Sequence, residues 1–320
     1  MKKTYKSWLI LIFVIYFCFN TKLINENFKN SRNKANNFNF DKRNKESKHI
    51  SDENCYLSPK EPNLRIIHFI ITRFIVEYNP IKKFIYSNEY IKNGIRVMKK
   101  YLLPSLENQL CKNFIFILMI GNKANISYIK SLIRFNNSFP SYILFQNDLK
   151  KDLKTLAKGF DVLITTRIDY DDLIYYDAIN DVRKAINIDK PVILHGYNSG
   201  VYYFESNRKF YDYYRLNNDG ALGIFLSLIL IINKVNDTYS IYDLGAHTHV
   251  RKNILKRYKS FGINQLNYEP SIFDTGDSKF IYVRQKFSNN FNGTFKIPFI
   301  KKSRKFNLTK FFGKIKAFNF

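Results

Sequence analysis

The chain has 320 residues, 45% of them apolar, which suits one large α/β domain or two ordinary ones and excludes an intrinsically disordered protein. Its formal net charge of +26 would suit nucleic acid, an anionic membrane surface or phosphorylated small molecules. The lysines are spread through a chain also rich in Asn, Ile, Tyr and Phe, and no basic helix or aromatic-basic RNP-like motif stands out. The charge therefore reads as a compositional bias, and no nucleic-acid partner is expected.

Residues 1–24 open with Lys2, Lys3 and Lys6, followed by an apolar run over residues 8–19. Twelve apolar residues match the core of a signal peptide better than a full membrane span of about 20, and no small-x-small cleavage site follows. The expectation is an uncleaved signal anchor that holds the chain on a secretory-pathway membrane, facing the ER or Golgi lumen; cleavage would make the protein secreted. Lys22, Lys29, Arg32 and Lys34 on the far side dilute the charge asymmetry that sets orientation. Residues 25–63 carry few apolar side chains and end in a proline-bearing stretch, which predicts a disordered stem with order beginning at Leu64. Cys18 lies in the apolar run, leaving Cys55 and Cys111 as a pair that could form a disulfide but need not.

Strands and helices then alternate. Strands are expected over 65–74, 114–120, 142–145 and 162–168, with helices over 89–103 (stopped by Pro104), 126–135 and 149–158. A further helix is expected over 175–186 and strands over 191–195 and 200–204. This order predicts an α/β domain with a mostly parallel sheet and right-handed crossovers. The run 221–232 is apolar all round and, at 12 residues, reads as a buried helix rather than a membrane span. The tail 301–320 alternates Lys and Phe and could lie on a membrane or on the domain.

The strand over 162–168 ends in Asp169, Asp171 and Asp172. Open α/β sheets bind ligands at the carboxyl ends of their strands, and clustered carboxylates repel unless a hard cation or a basic partner joins them. D-x-D at that position points to Mg²⁺ or Mn²⁺ bridging a diphosphate. Equally, Asp171 or Asp172 could cap a helix beginning near Leu173. Arg73 and Arg167 lie at strand ends, where they could neutralise a leaving diphosphate, while Arg167 could instead pair with the adjacent aspartates. Asp219 is a loop carboxylate that could serve as a base for an acceptor hydroxyl or as the N-cap of the following run. His247 and His249 alternate and would share one side of a strand; they are metal-ligand candidates or surface histidines.

The segments 68–74, 103–109 followed by 114–118, and Thr165-Thr-Arg-Ile-Asp-Tyr-Asp-Asp172 together resemble the rhamnosyltransferase family of glycosyltransferases over roughly residues 64–300. That resemblance implies a GT-A-like fold, a nucleotide-diphospho-sugar transferase with a mostly parallel sheet flanked by helices. It implies Asp169 and Asp171 as the metal-holding D-x-D and Thr72, Arg73, Arg167 and Asp169 near the donor nucleotide. His249 completes the metal site by the same likeness. The implied partners are a nucleotide-sugar donor and a glycan, glycolipid or glycoprotein acceptor, with the membrane reached through the N-terminal anchor. Two alternatives stand beside it. A HAD-like phosphohydrolase also places D-x-D after a strand, but after the first strand rather than the fourth. A membrane-anchored glycan-binding protein or inactive transferase would use the basic surface instead.

Overall fold

The apolar runs that lack polar alternation become strands of one sheet, because only a sheet covered on both faces buries every side chain of such a run. A computed structural model describes residues 55–56, 63–76, 83–135, 138–197, 199–204, 209–214, 225–245, 253–254, 256, 271–274 and 280–284. Its strands are β1 Ile66–Phe74, β2 Ile115–Ile120, β3 Ser141–Phe145, β4 Val162–Asp169, β5 Asp172–Ile174, β6 Val192–Gly196, β7 Ser199–Phe204, β8 Lys209–Tyr214, β9 Leu226–Ile231, β10 Ser271–Asp274 and β11 Phe280–Arg284. The helices are α1 Asn88–Lys100, α2 Leu102–Glu107, α3 Ile126–Leu132, α4 Leu149–Leu156 and α5 Ala178–Lys184.

The main sheet has the order β10-β6-β9-β4-β1-β2-β3. β1 lies between β4 and β2 and is parallel to both, β3 continues parallel beyond β2, and β9 runs antiparallel to its neighbours β4 and β6. The expectation of a mostly parallel sheet flanked by helices holds. A smaller sheet, β5-β11-β7-β8, follows the carboxyl end of β4. All described residues belong to one unit, Ser51–Phe320.

Each face of the main sheet has its own core. On one face Ile70, Phe116, Ile164 and Ile229 meet Ile91, Ile95 and Met98 of α1, Ile129 of α3 and Ile179 and Val182 of α5. On the other, Phe69, Ile71, Met119 and Leu228 meet Leu149 and Leu153 of α4 and the short 3-10 turn Ile241–Leu244.

Four local readings differ from expectation. The run expected as a buried helix over 221–232 contains β9, whose six residues are all buried. A run buried on every side has no periodicity with which to tell helix from strand, and its Ile and Leu residues fit the middle of a sheet. Pro104 does not stop a helix: α1 ends at Lys100, and Pro104 is the third residue of α2, where its missing N–H is not needed. No helix starts near Leu173, which lies in β5, so Asp171 and Asp172 are not caps there. Finally, two residues of the expected stem are fastened to the domain. Cys55 is disulfide-bonded to Cys111, and the Tyr56 N–H donates to Asn180 Oδ1 at 2.7 Å.

The expected anchor over 1–24 and the tail over 301–320 lie outside the described residues, and no helix among the described residues is long and apolar enough to cross a membrane.

Candidate functional site at the carboxyl edge of the sheet

β1 and β4 are parallel neighbours in a register that sets Arg73 beside Asp169 and Ile71 beside Arg167. Because side chains alternate along a strand, Arg73, Arg167 and Asp169 all rise from one face of the sheet. The Arg73 and Arg167 guanidinium groups each come within 3.8 Å of Asp169 Oδ1. Both also lie 5.3 Å from the ring centroid of Tyr242, within cation–π range. Tyr242 belongs to the Ile241–Leu244 turn, and its hydroxyl donates to the Ile71 carbonyl at 3.1 Å. That turn is fixed by a capping box between Ser240 and Asp243 and by the Ile241 N–H donating to Thr165 Oγ1 at 2.8 Å. Two cations and one carboxylate thus share one aromatic platform, with Arg167 nearly fully buried and Arg73 18% exposed.

Beside this group opens a cleft of about 160 Å³ lined by Arg73, Val76, Met119, Gln146, Lys150 and Tyr242 among others. Lys150 stands at its wall, its Nζ 2.6 Å from Asp237 Oδ2 and 4.7 Å from the Tyr239 ring centroid. Hydrogen bonding to Asp237 raises the Lys150 pKa and lowers that of Asp237, so the pair is fully charged near neutrality.

The strand end that presents Arg73 is held rigidly. Phe74 meets the Tyr170 ring edge-on at 5.5 Å and leaves no space at Gly94, where a Cβ would fall 2.4 Å from the Phe74 ring. Ile75 has φ of 55°, a left-handed conformation costly for a β-branched side chain, and its carbonyl accepts from the Gly121 N–H at 3.0 Å. A Cβ on Gly121 would lie 2.6 Å from that carbonyl.

The sequence-expected residues divide into groups. Arg73, Arg167 and Asp169 come together, and Arg167 pairs with Asp169. Asp171 lies in the turn between β4 and β5, partly exposed. Near it Tyr170 and Tyr90 are hydrogen-bonded to each other. Burial first, and the Asp171 charge after it, push the Tyr170 hydroxyl pKa up. Thr72 is fully buried and points to the opposite face from Arg73, so the structure does not bring it to the group. Asp172 is buried in β5. Asp219, His247 and His249 lie outside the described residues. Tyr242, Gln146 and Lys150 carried no sequence signal: Tyr242 reaches the site only through the return of the chain after β9.

Asp169 is 31% exposed and beyond hydrogen-bond distance of both guanidinium groups, so its carboxylate keeps acceptor capacity. Among the described residues no group of three Asp, Glu, His or Cys side chains could enclose a metal. A magnesium-like ion does not require one, because it binds through one or two carboxylates and completes its shell with substrate phosphates and water. Asp169 and Asp171 fit that donor set by their chemistry.

The family model described as Putative rhamnosyl transferase matches residues 77–240, more than half of the chain. Among solved structures the chain is similar to residues 1–349 of S. aureus TarS, with 12% identity and a TM-score of 0.35, covering 69% of this chain and 60% of that one. It is also similar to a nucleotide-diphospho-sugar transferase, named as putative, from Desulfovibrio desulfuricans G20, with 10% identity, a TM-score of 0.35 and coverage of 69% and 81%. The inositol-1-phosphate CTP transferase from T. maritima follows, with 11% identity, a TM-score of 0.33 and coverage of 70% and 90%. No curated protein matches the chain. From the extent of the family match, this chain belongs to the family described as Putative rhamnosyl transferase.

Proposed function

We propose that the protein transfers a sugar, rhamnose being the one its family name suggests, from a nucleoside-diphosphate donor to a hydroxyl of a glycan, glycolipid or glycoprotein. The observation that carries this reading is the convergence of Arg73, Arg167 and Asp169 on Tyr242 beside a cleft at the carboxyl edge of the sheet. Cleaving a sugar–phosphate bond builds negative charge on the departing diphosphate, and fixed cations aimed at that charge lower the barrier without reorganising at the moment of reaction. Arg73, partly exposed, meets the phosphates. Arg167, buried behind it, adds a second charge whose direction Tyr242 and Asp169 fix. Lys150, held by Asp237, extends the positive wall of the cleft toward the nucleoside.

Asp169 and Asp171 would hold a Mg²⁺ or Mn²⁺ ion, which would neutralise diphosphate charge as a Lewis acid. His249 is proposed as a further ligand and Asp219 as the base for the acceptor hydroxyl; what supports both is their sequence context. Residues 1–24 are proposed to hold the catalytic domain at a membrane.

Titrating the protein with nucleoside diphosphates by calorimetry, with and without Mn²⁺, tests this reading. The expected result is binding that strengthens with Mn²⁺ and is lost in Asp169→Asn. Binding of none of the nucleoside diphosphates under either condition would defeat it.

A further inference from the structure

The two helical layers of the main sheet differ in charge. The segments 88–100 and 121–135, which form α1, α3 and the turn before α3, carry Lys92, Arg96, Lys99, Lys100, Lys123, Lys130 and Arg134 against the single acid Glu89. On the opposite face, residues 148–158 and 232–245 carry Lys150, Lys151, Lys154, Lys158 and Lys234 against Asp148, Asp152, Asp237 and Asp243. Among these described helical segments the basic excess therefore lies on the α1–α3 face. No basic helix was visible in the sequence because the α1 cations alternate with its core positions.

Folding sorts them. Lys92, Arg96, Lys99 and Lys100 recur at helical spacing on the side of α1 opposite Ile91, Ile95 and Met98, and all four are exposed. Lys123, Lys130 and Arg134 are exposed beside them. Lys99 Nζ donates to the Leu132 carbonyl at 2.7 Å, tying the end of α1 to the end of α3 so that both helices present one surface. The exposed residues between the cations are Asn88, Glu89, Asn93, Asn125, Ser127 and Ser131; Tyr90 and Tyr128 are half-buried, so no fully exposed aromatic side chain stands there to stack a base.

We propose that this α1–α3 face rests on the anionic surface of a phospholipid bilayer. Lysine-rich, weakly directional charge on two adjacent helices suits a continuous anionic plane better than the shaped, bidentate sites that arginine forks make. The apolar run at residues 8–19 lies in the same chain and suits the same environment. The surface is separate from the donor cleft, whose arginines rise from the other face of the sheet.

The test is co-sedimentation of the full chain with vesicles of pure phosphatidylcholine and of phosphatidylcholine with phosphatidylglycerol. The apolar run contributes to both, so the difference between them isolates the charged face. We expect wild type to bind the anionic vesicles at least about tenfold more tightly at low salt, with that advantage lost at high salt, since each basic residue near such a surface is worth about fivefold. Lys92→Glu/Arg96→Glu should abolish the advantage while leaving transfer to a water-soluble acceptor unchanged. Lys151→Glu/Lys158→Glu makes the same change in net charge on the opposite layer and should retain it. Equal loss in both variants would mean net charge alone is responsible and would overturn the proposal. So would equal binding to the two vesicle types, or binding to RNA without preference for anionic vesicles.

Discussion

Arg73 and Asp169 are register partners across the parallel β1–β4 ladder, and the guanidinium of one ends 3.8 Å from the carboxylate of the other. A pairing set by backbone hydrogen bonds fixes the two side chains more firmly than a loop could.

Tyr242 orients both arginines without being able to supply charge. Tyr242→Phe loses the hydrogen bond to the Ile71 carbonyl and keeps the ring, whereas Tyr242→Leu loses both. Cation–π contacts of this kind are worth about 0.5–2 kcal/mol each. Donor KM should therefore rise about tenfold in the Leu variant and less in the Phe variant, with little change in melting temperature. Steady-state kinetics on the two variants would check it, and equal effects would show that the ring is not the positioning element.

Asp171→Asn keeps side-chain shape while removing a charge from the β4–β5 turn. If Asp171 joins Asp169 in holding a cation, transfer should fall by at least about two orders of magnitude. The fold should be unaffected, because Asp171 is partly exposed. Normal turnover in this variant, measured beside its circular dichroism, would exclude the role.

Cys55 lies in the segment first read as stem, and its bond to Cys111 closes a loop of 56 residues. On the chain-entropy model such a link stabilises by about 4 kcal/mol. A chain starting at Asn63 should therefore melt well below one starting at Glu53, and reductant should lower the melting temperature of the longer chain only. Removing residues 25–52 should cost little.

Gly121→Ala places a methyl group 2.6 Å from the Ile75 carbonyl, a backbone atom that cannot swing aside. The expected destabilisation is about 1–3 kcal/mol by denaturant unfolding. Donor affinity should weaken as well, since Ile75 anchors the strand end that carries Arg73. A neutral substitution would mean the Ile75 turn is softer than its geometry implies.

His68 is a buried residue of β1, its Nε2 2.7 Å from Thr166 Oγ1, which in turn lies 2.6 Å from Ser227 Oγ. Burial first, then Arg183 and His195, hold its imidazole well below the ordinary pKa. The unfolded chain binds that proton near pH 6.5 and the folded chain only at lower pH. The stability His68 contributes is therefore complete above about pH 6.5. It is lost as pH falls from there toward the folded pKa. Melting temperature should drop more steeply for wild type than for His68→Gln over that acid range.

The sequence made the strands of the parallel sheet legible, because an unbroken apolar run such as 162–168 has few other solutions. It misread 221–232 for the same reason inverted: a run buried on all sides looks alike as helix or strand. At the site, Arg73, Arg167 and Asp169 were visible as polar residues at strand ends. Thr72 rests on the family resemblance, and alternation along β1 sends it to the opposite face from Arg73. Tyr242 could not be found this way, since its place depends on the pairing of β9 between β4 and β6, a long-range choice that no local pattern encodes.

Product identity tests transfer from a nucleotide sugar most directly. The protein is incubated with a panel of nucleoside-diphosphate sugars, Mn²⁺ and a hydroxyl acceptor, and the products are identified by mass spectrometry. Equimolar nucleoside diphosphate and glycosylated acceptor are expected from at least one donor, both abolished by chelator and by Asp169→Asn. Release of inorganic phosphate in place of nucleoside diphosphate, or product formation that persists unchanged in chelator, would contradict this expectation.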